Sequence, residues 1–590
     1  MSSSPGLERR PAREAEAERA VLDASAIVPD EHGWKPVRIR PWHDMVSEIR
    51  GRLPFYASDW TDGFTDKRVL AAGIYIFFAN FAPAVTFAFF LDSSTEGMIG
   101  VVEVLLSSSV CGTIYAILAG QPLIIVGVTG PTSVFVTTIY GLSSTLGVPF
   151  LPFLGWTTLW SAAMHIAIAI GGLCSLVTII TRFSCEVFGA LIAIVYFWNG
   201  IAELVKSFDT AFPVGLCAAL LAILTLYLAL VLTDARTWRF WTSALRGFVA
   251  DYAIPISVTL ATVVAAAILP LLPGSESTLD PLPTLNVPYS KPFLSTTNGR
   301  PWLVDFGSLP MWAIFASAIA GAVLTILFYF DHNVSSLLSQ RPESNLMKPP
   351  AFNWDFLVLG LTMIPCAVLG LPACNGLIPQ APLHVAALSK KTKSGITLRV
   401  AEQRLSPLLQ ALLTFVVLAP PLLRVVTHVP RAVLAGLFLA MGVHSLLSNQ
   451  FATRVASIGA LTEQARAIVL APRALLRVPR KQTIRFTIIQ SFVLAVTVAV
   501  TESHHPVALA FPVIIAALVP FRFYILPRII EPRWLAILDC EDDPDLQRPV
   551  EPQPDTSESP LLEHTTLQVE QDSSQPKAVT DIPLARFGTA

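Results

Sequence analysis

The chain of 590 residues is 53% hydrophobic and only 14% charged, with a formal net charge of −2 and a mean hydropathy of +0.60. A soluble domain carries roughly a quarter charged residues, and a soluble chain of this length divides into domains with charged surfaces. The solvent is therefore expected to be lipid, and the charge gives no case for a nucleic-acid partner.

In chain order, residues 1–50 are polar and rich in Glu and Arg, without the apolar region of a signal peptide. We expect residues 1–65 to form a cytoplasmic segment and the first hydrophobic span to act as an internal signal and anchor. A bilayer-crossing helix needs about 20 apolar residues. Such stretches lie near 69–91, 98–119, 122–141, 154–180, 184–207, 212–232, 249–270, 311–338, 354–371, 375–389, 404–427, 430–447, 484–501 and 506–526. They predict an all-α polytopic membrane protein. Lys and Arg collect in the even-numbered loops, as at Arg236, Arg239 and Arg246, at Lys390, Lys391 and Lys393, and again at Arg473, Arg477 and Arg480. Cytoplasmic loops carry such an excess, so both termini are expected inside. The basic segment 448–482 has the composition of an amphipathic helix on the membrane surface or of a plain basic loop. The sequon Asn333-Val334-Ser335 falls at the inner end of the eighth stretch and is predicted to escape glycosylation. Residues 531–590 are expected to be a disordered cytoplasmic tail. In it, Ser557-Glu558-Ser559-Pro560-Leu561-Leu562 approximates a dileucine sorting signal.

The seven cysteines show no metal or disulfide spacing and read as small apolar residues. No cofactor or metal is expected. A nucleophile elbow, a P-loop and a His-Glu metal motif are all lacking, so an enzyme is not expected.

Two stretches are broken. The third reads Gln121-Pro122 through Gly127, Thr129-Gly130-Pro131-Thr132-Ser133. The tenth reads Gly370-Leu371-Pro372 through Asn375-Gly376, Pro379-Gln380 and Pro382. Each is expected to be an extended approach followed by a half-length helix, with Thr129 or Asn375 as its cap. Irregular backbone at membrane depth is tolerated where it lines a cavity or is buried in protein. The breaks are third and tenth, at matching places in two sets of seven, which points to an inverted-repeat carrier with a central site. Half-helix N-termini facing each other could hold an anion without Arg or Lys. Among ionisable residues inside spans, Glu103, Glu186, Glu203 and Asp251 are candidates, and Asp331 is the strongest.

These residues are recognisable. Thr61-Asp62-Gly63-Phe64-Thr65-Asp66-Lys67, Asn80-Phe81-Ala82-Pro83, Gly120-Gln121-Pro122-Leu123, Thr129-Gly130-Pro131, Phe330-Asp331-His332 and Asn375-Gly376-Leu377-Ile378-Pro379-Gln380-Ala381-Pro382 resemble the bicarbonate-transporter (solute carrier 4, anion exchanger) family. The similarity runs from about 50 to 530 and looks most like the borate-exporter branch of plants and fungi. It implies a seven-plus-seven inverted repeat, near 66–270 and 311–530, with core and gate domains and a homodimer formed through the gate. It places substrate between the two half-helices and the eighth span. The implied site comprises Thr129, Gly130, Thr132, Ser133, Asp331, Asn375, Gly376 and Gln380. Gln380 stands where chloride–bicarbonate exchangers carry arginine, which counts against chloride exchange. With only about 65 residues before the first span, the large N-terminal domain of animal exchangers is not expected. The expected function is export of borate or boric acid across the plasma membrane, a vacuolar membrane being the other location. The mechanism is rocking or elevator-like alternating access, with Asp331 as the candidate proton carrier. The alternatives are exchange of bicarbonate or another inorganic anion, and a channel.

Overall fold

The computed structural model describes residues 39–539 except 269–281, 286, 292, 342–343, 392–396, 460–474, 476 and 504–505. Most of the expected tail, its dileucine-like segment and residues 1–38 lie outside the described residues.

Two short helices, α1 (His43–Arg52) and α2 (Tyr56–Thr65), precede the membrane helices. Then follow α3 (Lys67–Ser94), α4 (Val101–Leu118), α5 (Gly130–Leu146), α6 (Phe150–Ile170), α7 (Arg182–Thr210), α8 (Phe212–Thr233), α9 (Ser243–Asp251) and α10 (Ala253–Ile268). The second half comprises α11 (Met311–Ser339), α12 (Asn353–Leu369), α13 (Gln380–Leu388), α14 (Leu405–Val417), α15 (Pro420–Val426), α16 (Arg431–Leu447), α17 (Gln450–Ile458), α18 (Arg480–Thr501) and α19 (Phe511–Tyr524). Every expected stretch contains a helix. Among the described residues, eight helices are long and apolar enough to cross a membrane, or eleven if each of three bent pairs is one span. The bends lie between α9 and α10, α14 and α15, and α16 and α17. Helix α13 has only nine residues, well short of a crossing. The fold is that of a polytopic helical membrane protein.

The helices sort into two packing groups. Helices α3, α4, α6, α11, α12, α13 and α14 pack on one another, as do α7, α8, α10, α16, α18 and α19. Both groups draw from both halves of the chain. In the second, Gly436 lies so close to Ala222 that an added Cβ would sit 2.5 Å from the Ala222 carbonyl oxygen. Small residues allow such approach where lipid supplies no hydrophobic drive for helix association.

Much of the basic segment 448–482, residues 460–474 and 476, lies outside the described residues. Its described helix is α17, on which Arg454 is fully buried. The guanidinium pairs with Glu186 of α7 and donates to Gln490 Oε1 of α18 at 2.8 Å. A buried cation requires such partners, so the helix turns inward. The sequon is sealed within the bundle, with Asn333 and Ser335 both fully buried. Cys111, Cys366 and Cys374 come together around Ser107, with 3.3 Å between the first two sulfurs.

Candidate functional site

The site begins with the two stretches that cannot be helical. Beyond α4, the Gly120 and Gln121 N–H groups donate to Asp355 Oδ1 at 2.7 and 3.0 Å. Beyond α12, Gly370 adopts φ 62° and the Leu371 N–H donates to the Cys366 carbonyl at 2.8 Å. The two approaches then meet as an antiparallel pair, β1 (Val126–Gly127) and β2 (Asn375–Gly376), with Val126 opposite Gly376 and Gly127 opposite Asn375. The pairing satisfies backbone groups that water would otherwise serve.

Helix α5 starts as its sequence dictates. Thr129 is the cap, and its Oγ1 accepts from the Thr132 N–H at 3.3 Å. The hydroxyls of Thr129 and Thr132 lie 2.9 Å apart, and the Ser133 hydroxyl donates to the Thr129 carbonyl at 3.0 Å. The second break differs from expectation. Asn375 does not cap a helix; it sits in β2, and its Oδ1 accepts from the Gly376 N–H at 2.8 Å. Helix α13 starts at Gln380, after Pro379. The physical reason is proline: Pro382 lacks an N–H and fits only a first turn. The half-helix ends also offer fewer free donors than expected. Pro131 and Pro382 carry none, the Thr132 N–H is spent on the cap, and that of Ala381 bonds the Leu377 carbonyl.

Side chains supply the remaining polarity. Asp331 lies inside α11 and is 2% exposed. Its Oδ2 is 3.5 Å from Thr129 Oγ1, and the Asn375 side chain lies beside it. The Asn375 amide nitrogen is buried without a hydrogen-bond partner. Gly376 packs against His332, where a Cβ would fall 2.9 Å from Nδ1. His332 in turn meets Tyr115 Oη at 3.4 Å.

Gln380 reaches a different element. Its Nε2 donates to the Ala79 carbonyl of α3 at 3.3 Å. Pro83, four residues on, lies inside α3 and has no N–H to give that carbonyl. The bond fixes the amide, leaving Oε1 buried and unpartnered. Thr129, Asp331, Asn375 and Gly376 thus gather around the β-pair with Thr132 and Ser133 behind them. Gln380 is held from α3, and Gly130 faces Tyr196 of α7.

The other acids have visible duties. Glu103 is buried and accepts from the Gly100 N–H at 2.9 Å and the Thr297 N–H at 2.8 Å. Glu186 holds Arg454. Glu203 lies near Lys206 and Arg431, and Asp251 pairs with Arg236 at the surface. Sequence reading gave no site role to Asp355, Tyr196 or Asn80, although Asn80 stands in a motif that carries the family resemblance. Asp355 had a signal in its place on the first turn of a helix. Asn80, whose amide lies against Gly127, stands three residues before Pro83.

The profile of the HCO3- transporter integral membrane domain matches residues 40–215 and 211–543. The chain belongs to the bicarbonate transporter family. Boron transporter 1 of Saccharomyces cerevisiae is 33% identical to it over 490 residues, covering 81% of this chain and 83% of the relative. Anion exchange protein 3 of Danio rerio is 30% identical over 542 residues, covering 85% of this chain but 45% of that longer protein. The solved structure of SLC26A9 aligns with 84% of this chain and 73% of its own, at a TM-score of 0.51 and 14% identity, a likeness of fold alone. As a bicarbonate transporter family member the chain is a multi-pass membrane transporter, for which a small anion is the fitting cargo.

Proposed function

We propose that this transporter exports borate or boric acid across the plasma membrane by alternating access. The observation that carries this reading is a buried polar site, between two chain breaks, furnished by neutral groups and one acid. Asn375 offers a buried donor whose neighbour is the Asp331 carboxyl, though not within hydrogen-bond geometry, and Gln380 an unpaired acceptor. Thr129 adds a hydroxyl, and Asp331 adds a carboxyl that has no Lys or Arg among its described partners. A monovalent oxyanion without hydroxyls would gain from an arginine, as chloride would. A boron species carries three or four hydroxyls, and each can both donate and accept. The similarity to a yeast boron transporter supports the same cargo.

Asp331 would repel borate if both were ionised. We therefore assign it a proton in the anion-bound state, released or exchanged during the cycle. Substrate and site would ride on the first helix group, the core, moving against the second, the gate. On the family resemblance we also take two copies to pair through the gate, with both termini cytoplasmic; cross-linking in native membranes tests the pairing.

The decisive experiment measures intracellular boron in a boron-sensitive host with and without the protein at equal surface expression. We expect boron to fall. Asp331→Ala should abolish the fall, and Asp331→Asn should reduce it at least tenfold and flatten its dependence on external pH. Normal pH-dependent efflux in both variants removes the proton role. The match to an anion exchange protein favours bicarbonate as the second reading. Unchanged boron together with flux of labelled bicarbonate would establish it.

A further inference from the structure

Tyr196 sits on α7, in the second helix group, and its phenol reaches across to the first. A Cβ built on Gly130 would lie 2.7 Å from Tyr196 Cε1 and 2.9 Å from Oη. The ring therefore rests on the first residue of α5, one position from the cap Thr129. It joins a cluster of three rings, 5.9 Å from the Phe87 ring of α3 and 6.1 Å from the Phe438 ring of α16, which are themselves 6.1 Å apart. Its hydroxyl is within electrostatic reach of Asp331.

The hydroxyl itself is idle. Buried tyrosines usually give the O–H a partner. Tyr115 meets His332 and Tyr329 donates to the Leu173 carbonyl at 2.8 Å. Tyr196 has no hydrogen bond to any described residue, yet its hydroxyl is not among the sealed, unpartnered polar atoms. A phenol packed on Gly130, whose oxygen has no hydrogen-bond partner among the described residues and is within electrostatic reach of Asp331, is placed to serve something that comes and goes.

We propose that Tyr196 is a substrate ligand contributed by the gate: its hydroxyl hydrogen-bonds the bound hydroxylated species from the side opposite Asn375 and β2, and Gly130 is glycine because that phenol must lie on it. This rests on the site assignment made above and deepens it. A phenolic O–H can donate to one oxygen of the substrate and accept from another, which suits a polyhydroxylated cargo. Because the ligand belongs to the gate while Thr129, Asp331 and Asn375 belong to the core, the site is complete only when the two groups stand as they do here.

The test is initial-rate efflux in reconstituted vesicles for the wild type, Tyr196→Phe, Gly130→Ala and the pair Gly130→Ala with Tyr196→Leu, each with boric acid and with bicarbonate. Tyr196→Phe keeps the ring and loses only the oxygen. KM for the carried species should rise about three- to tenfold, the size of one neutral hydrogen bond, with no loss of folded protein. Gly130→Ala should cut transport more than tenfold, and the second substitution should recover part of it by vacating the space. An unchanged KM in Tyr196→Phe, or no recovery in the pair, overturns the assignment. The two cargoes keep the claims separable. If the wild type carries bicarbonate and not boron, the borate reading fails while the KM of Tyr196→Phe still decides the tyrosine. A wild type that carries neither overturns both.

Discussion

Gln380 illustrates how one side chain can serve the fold and the site at once. Its amide nitrogen answers the Ala79 carbonyl that Pro83 leaves without a helix partner, so only Oε1, buried and unpartnered, is left for the proposed ligand. Gln380→Glu keeps the shape but can no longer donate. We expect boron efflux to fall more than tenfold and the carbonyl to cost about 1–3 kcal/mol as an orphaned buried acceptor. Adding Pro83→Ala returns an N–H to that carbonyl. The double variant should regain thermal stability, read as Tm in detergent, while efflux stays low. Recovery of both together would mean that Gln380 acts only through the fold. The same residue shows what a sequence can tell. The likeness to anion exchangers drew the eye to Gln380 as the place of a missing arginine. Its tie to α3 is a contact between segments 301 residues apart, and no local pattern announces it.

At the scale of elements, the β-pair decides the geometry, and it is intolerant of added volume. A Cβ on Gly376 would fall 2.9 Å from His332 Nδ1 and 3.2 Å from His332 Cα. The second atom belongs to the backbone of α11 and cannot swing away. Gly376→Ala should therefore cost about 1–3 kcal/mol by overpacking and abolish efflux by displacing Asn375 from Asp331. Gly141→Ala on α5, where nothing lies within 4 Å, is the control. It should leave efflux intact and stabilise slightly, because alanine is the better helix former. Equal loss in both would show that α5 and β2 fail for reasons other than crowding. Helical stretches were legible because lipid demands long apolar runs, and Thr129-Gly130-Pro131 was legible because cap and proline are local signals. Asn375 misled for the same reason. It has the chemistry of a cap, but its partner strand is 248 residues away along the register Gly127–Asn375, and Pro379 and Pro382 move the helix start beyond it.

Across the whole molecule, each helix group is tied internally by its own buried charges. In the core, Asp59 of α2 pairs with Lys348 and, at 3.1 Å, with Arg404, whose Nη1 donates to the Ala116 and Ile117 carbonyls at the end of α4. Arg52 of α1 pairs with Glu402 at 3.2 Å and donates to the Gly120 carbonyl. Cations at a helix C-terminus are favourable, and here they come from segments of both chain halves. Helices α1 and α2 are thus part of the packed core. In the gate, Glu186 of α7, Arg454 of α17 and Gln490 of α18 make the corresponding knot. A transporter that moves one rigid group against another needs this arrangement, in which stiffness lies within the groups. Removing one partner of a buried ion pair costs about 3–5 kcal/mol, because the other charge is left unpaired. Asp59→Asn should therefore lower Tm by stranding Arg404 and leaving Lys348 with only Asp62, at 3.6 Å, as a described ion-pair partner, and Glu186→Gln should do so by stranding Arg454 and removing a partner of Arg182. Replacing Arg454 by Met together with Glu186→Gln should recover part of the second loss, since the fully buried cation goes with its partner while Arg182 still loses its ion pair with Glu186. Sites that share no partner add within about 0.5 kcal/mol, so the Tm losses of Asp59→Asn and Glu186→Gln should sum in the double variant. A double variant much better or worse than the sum would mean that the two knots are mechanically one, and a core so coupled to its gate could not move past it as alternating access requires.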